Sequence, residues 1–243
     1  MANAPKRVQS RSLKFENAAP FMGLLLAVII GGFWQAYFSR MLPNGDFVRI
    51  SWWTHFHLSL AAAWMLLLIM QPILIRKKQF VWHRRIGRIS YVLMPLLMIS
   101  VLLLFHSRHR AGEPTLNLDF FVGCKDLIVL AVAFFCAVKF RHTAYIHARA
   151  MIATGIAFIE PALIRLLMFA LPNLASINYL LTVLIIHTIL LSLMVLERKQ
   201  QRGRWVFPLI WGIYVVLHAI ALSGVRIGVV GRFATWFVSL PLT

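Results

Sequence analysis

Apolar runs of membrane-spanning length, parted by short basic loops, constrain this 243-residue chain more than any other feature. The stretch at residues 51–88, SWWTHFHLSLAAAWMLLLIMQPILIRKKQFVWHRRIGR, shows the pattern most densely. An aromatic rim (Trp52, Trp53) opens it, an apolar run follows, and Arg76, Lys77, Lys78, Arg84, Arg85 and Arg88 close it. A span ending this way enters the cytoplasm, because basic loops resist transfer across a membrane. His55 and His57 then lie near the outer face and His83 at the inner one.

Further runs at residues 18–39, 90–105, 119–138, 150–171, 177–196 and 205–223 repeat the pattern. Hydrocarbon offers no partner to backbone amides, so each run is expected to be helical. The expected fold is all-α, a polytopic transmembrane bundle of about seven spans with a cytoplasmic amino terminus. A basic tail (1–17) precedes the bundle (18–224). An outer interfacial tail (225–243) follows it, with an apolar stretch at 233–242 too short to span. The first run is too long for a signal peptide and lacks a small-residue cleavage site, so it reads as an uncleaved anchor.

Charge supports this orientation. The assigned inner segments hold 17 Lys and Arg against 6 in the outer ones, and Lys125 and Arg165 lie within spans. With 60% hydrophobic and 13% charged residues, the chain lacks the polar surface of a soluble domain. Its net charge of +18 sits in the loops. There it meets anionic lipid head groups at the inner face, with no role for nucleic acid. A bacterial inner (plasma) membrane is the expected location. Cys124 and Cys136 lie twelve residues apart, about 18 Å along a helix, which rules out a disulfide between them.

Ionisable groups inside a bilayer are costly, so each needs a partner or a task. At about 1.5 Å per residue, His57, Lys125 and Asp126 lie some 9 Å below the outer face. Arg165 and His218 fall in the outer third, Glu160 and His187 near the midplane. A shared depth on different spans predicts one outward-facing polar cavity faced by His57, Asp126, Glu160, Arg165 and His218, with Lys125 in the same slab and His187 as its floor. Three histidines on separate spans, His57, His187 and His218, are the candidate metal or axial haem ligands. His83 and His147 offer a second pair at the inner face. His55 stands about 200° around the helix from His57 and cannot share an ion with it.

A structural account competes with each assignment. Lys125 and Asp126 point about 100° apart, Glu160 and Arg165 about 140° apart, so each must pair with another span. Such pairs can serve only to fix helix register. Trp211, Tyr214 and His218 form a helical stripe that core packing also explains. Pro161 removes a backbone donor and is expected to bend its helix. No nucleotide loop, HExxH pair or nucleophile elbow is present, and nothing assigns a reaction.

Several motifs together carry a family resemblance: His57 with Gln71-Pro72, then Arg76 and the HRRIGR of residues 83–88, then the HARAM of residues 147–151 and Arg165. The chain resembles a family of bacterial polytopic membrane proteins with HRxxGR and HxRxM…R motifs and no established activity. It is distantly similar to cytochrome b561-like proteins in placing histidines near both faces of a bundle. The first resemblance implies a multi-pass membrane protein, the second haem b. Three functions follow as expectations: haem b electron transfer, proton-coupled transport or small-molecule binding, and a structural or assembly subunit. A redox partner or a second copy of the chain accompanies the first and last.

Overall fold

The computed structural model describes residues 15–42 and 49–243. The expected basic tail, up to Lys14, and the Asn44-Gly45 turn lie outside the described residues. Among the described residues eleven α-helices follow one another: α1 (Ala19–Gly32), α2 (Trp52–Arg76), α3 (Phe80–Gly87), α4 (Ser90–Arg108), α5 (Leu116–Cys124), α6 (Asp126–Lys139), α7 (Ala144–Ile156), α8 (Ile159–Ala170), α9 (Asn178–Leu196), α10 (Val206–Ser223) and α11 (Gly228–Val238). No strand occurs among the described residues.

Six stretches are long and apolar enough to cross a membrane: α2, α3 with α4, α5 with α6, α7 with α8, α9, and α10. The remaining span is shorter. Helix α1 has 14 residues, about 21 Å, and continues through turns into a 3-10 helix at Phe38–Met41. The molecule is a multi-pass helical bundle. Trp64, Met94, Leu97, Ile186, Leu190 and Ile210 form its core, while Leu66, Val92, Phe135, Leu184 and Val216 stay exposed around it. An outward apolar belt of this kind suits lipid better than water.

Three details depart from expectation. HRRIGR is not a loop: most of it belongs to α3, which packs against α2 and rests Arg85 over the Trp82 ring at 5.7 Å. The fourth and fifth spans are each interrupted. At Lys125 the lapse is local, with φ −57° and ψ −35° still helical. At Ala157 and Phe158 the cause is Pro161, which has no N–H for the Ala157 carbonyl. Finally, the carboxy-terminal stretch forms α11, which docks on α5. His106 Nε2 donates to the Leu240 carbonyl (2.8 Å), and the Thr243 hydroxyl donates to His106 Nδ1 (2.6 Å).

Helix α1 packs closely on α8. Gly32 lies against the Ala162 carbonyl, where any Cβ would collide. This contact brings the first span beside the half-helix that carries Glu160 and Arg165.

Candidate functional site

The interrupted spans deliver the interior charges. Lys125 occupies the lapse between α5 and α6, and Asp126 begins α6. Glu160 sits in the first turn of α8, just past the Pro161-induced break. Both carboxylates therefore stand at the start of a half-helix, where the backbone dipole favours negative charge.

Lys125 Nζ donates to both Glu160 oxygens at 2.6 Å and to Asp126 Oδ1 at 2.9 Å. Its side chain is fully buried, with Glu160 at 5% and Asp126 at 20% exposure. From α10, His218 Nε2 donates to Glu160 Oε2 at 2.8 Å. The other nitrogen, Nδ1, meets His187 Nε2 of α9 at 3.1 Å. Tyr214 stacks on the His218 ring (centroids 5.0 Å, 29°), and Tyr179 stands edge-on to it at 6.5 Å. The Tyr214 hydroxyl is buried without a hydrogen-bond partner among the described residues.

The bonding pattern fixes most protons. Glu160 only accepts, so it is ionised, and His218 must carry a proton on Nε2. Between His218 and His187 two states fit the same distance. Either His187 Nε2–H donates to neutral His218, or an imidazolium His218 donates to His187. With both histidines neutral, Lys125, Asp126 and Glu160 sum to one uncompensated negative charge. One added proton cancels it. In a low-dielectric interior that difference is worth several kcal/mol.

The expected cavity set is thus divided. Lys125, Asp126 and Glu160 meet, and His187 and His218 join them. Arg165 does not: it donates to the Pro161 carbonyl (2.5 Å) and lies over the Phe33 ring of the segment after α1 at 4.7 Å. The 140° separation from Glu160 sends it to another face. His57 is also elsewhere, on the α2–α4 seam, where Nδ1 bonds Ser100 Oγ at 2.9 Å. Ser100 spends its own proton on the Leu97 carbonyl (2.6 Å), so His57 is the donor. The metal set His57, His187 and His218 is therefore not assembled. Among the described residues no three His, Cys, Asp or Glu side chains are placed to hold an ion together. His55 pairs with the Tyr37 hydroxyl at 2.8 Å.

At the basic end, His83 and His147 do face one cavity. Arg149 of the HARAM motif is buried instead, bonding Glu197 Oε2 at 2.6 Å and the Tyr145 carbonyl at 2.7 Å. The sequence reading missed Tyr179, Ser100 and the Arg149–Glu197 pair. Glu197 carried one available signal, as one of only seven acidic residues and the last before a basic loop.

No family model, curated protein or solved structure matches the chain. The molecule is a multi-pass helical bundle of membrane type with a buried polar network.

Proposed function

We propose that this protein is a proton-coupled membrane protein, a transporter or solute-binding protein, and that its proton site is the Lys125–Asp126–Glu160–His218–His187 network. The observation that carries this reading is the charge count inside the bundle: one proton separates a neutral network from a charged one. Two interrupted helices meeting at that site support it further, since transporters build ion sites from such half-helices. Glu160 is the fixed acceptor, Lys125 the permanent counter-charge, and His218 with His187 the pair along which the proton shifts.

The test is infrared difference spectroscopy of the protein in lipid nanodiscs between about pH 8 and pH 5, the range in which histidine titrates. Wild type should show a histidine or carboxyl band that is absent in both Glu160→Gln and His218→Gln. Identical difference spectra in all three proteins would sink the proposal.

Haem b electron transfer has less support. Both nitrogens of His218 are committed to neighbours, which leaves none for iron. A Soret band in protein purified after expression with added haem would favour that reading instead.

A further inference from the structure

A cavity of about 210 Å3 lies at the basic end, between the start of α1, the end of α2, α3 and the start of α7. The proton network does not use it. Part of its lining is polar: Gln71 from α2, His83 from α3, His147 from α7 and Arg141 from the loop before α7. The rest is mostly apolar and includes Met22 and Leu68. Among the described residues no carboxylate lines it.

Hydrogen bonding orients the polar lining. With its amide oxygen accepting from the Gly87 N–H (3.2 Å), Gln71 donates to the His83 carbonyl (3.2 Å) and to His83 Nδ1. The His83 proton therefore sits on Nε2, as a donor. His147 donates from Nδ1 to the Ala137 carbonyl (2.8 Å), so Nε2 is its remaining nitrogen. When neutral, that nitrogen accepts from a hydroxyl. Helix α7 starts at Ala144, also on the cavity, and Thr143 gives it no side-chain cap. Its first amides are thus directed to an outside acceptor. Arg141 has no carboxylate partner among the described residues.

Donors and positive charge sharing one cavity with hydrocarbon match an anion attached to an apolar chain. We propose that this cavity holds the head group of an acidic phospholipid. The phosphate lies among Arg141, the α7 amides and His83 Nε2–H. A head-group hydroxyl reaches His147 Nε2, and the upper acyl chain rests on Met22 and Leu68. A free phosphate ion would satisfy the polar lining and leave the apolar lining without an occupant, so lipid is the better match.

Native mass spectrometry of the detergent-purified full chain, equilibrated with phosphatidylglycerol and phosphatidylcholine in equal amounts, tests this. The expected result is one retained phosphatidylglycerol per chain in preference to phosphatidylcholine. Arg141→Gln should weaken retention about fivefold or more, the effect of one arginine at an anionic membrane surface. Arg198→Gln, which removes the same charge from the basic end outside the cavity, should leave retention unchanged. Equal loss in Arg141→Gln and Arg198→Gln would reduce the effect to diffuse surface attraction and overturn the proposal. So would equal retention of phosphatidylcholine by wild type, or displacement of the lipid by inorganic phosphate alone. The wild-type competition stands even if a variant fails to fold.

Discussion

Glu160 accepts from Lys125 and His218 at once, yet Lys125 is the harder residue to replace. Lys125→Met leaves Asp126 and Glu160 buried together without a counter-charge. Breaking a buried pair in this way costs about 3–5 kcal/mol. Glu160→Gln leaves Lys125 still bonded to Asp126, so its cost should be clearly smaller. Chemical unfolding of both variants in one detergent checks the order, and equal losses would contradict the network as drawn. The Arg149–Glu197 pair should behave like Lys125 rather than like a surface bridge, because both side chains are 2% exposed. Arg149→Met strands Glu197, and a loss of about 3–5 kcal/mol is expected in the same unfolding assay. The loop pair His109–Glu113 (2.8 Å) provides the contrast. Hydrogen bonds from His109 and the Arg110 N–H hold the Glu113 carboxyl below its usual range. The site is open to solvent, however, and Glu113→Gln should leave the melting temperature unchanged.

Among the elements, the α1–α8 contact sets how closely the first span approaches the site. Gly32→Val places side-chain atoms where the Ala162 carbonyl lies. The helices must then separate, with an expected cost of about 1–3 kcal/mol, as for other overpacked interiors. Gly23, which has open space around it, is the control: Gly23→Ala should be neutral or slightly stabilising in the same melt. The span ends were legible in the sequence because hydropathy and charge are local properties. Residues 51–75, 177–196 and 205–223 were expected, and Trp52–Arg76, Asn178–Leu196 and Val206–Ser223 are the helices. What lay beyond was set by neighbours. Three arginines among residues 83–88, just before α4, hide the helix α3, whose support is its packing on α2. The lapse at Lys125 leaves no mark on the sequence, whereas the break before Glu160 does, through Pro161. Depth was readable residue by residue and azimuth only in part. The 140° between Glu160 and Arg165 showed that they diverge, but not that Phe33 would receive the arginine.

At the scale of the whole molecule, the three most basic stretches among the described residues fall at one end: Arg76 to Arg88, Lys139 with Arg141, and Arg198 to Arg204. Helix α11 docks on α5, and Leu240 bonds His106 at the far end of α4, so the carboxy terminus lies at the other end. Positive loops remain cytoplasmic, so the carboxy terminus should face the opposite side, and the proton network should open away from the cytoplasm. A fusion of alkaline phosphatase after Thr243, expressed in a bacterial host, is expected to be active, because that enzyme matures only outside the cytoplasm, where its disulfides form. A green fluorescent reporter at the same place is expected to stay dark. The matching pair placed in the basic loop after Lys139 should give the reverse, which guards against a fusion that fails for reasons of expression. Fluorescence at Thr243 without phosphatase activity would invert the molecule. It would also place the Lys125–Glu160–His218 network nearer the cytoplasmic face, and the lipid cavity in the outer leaflet.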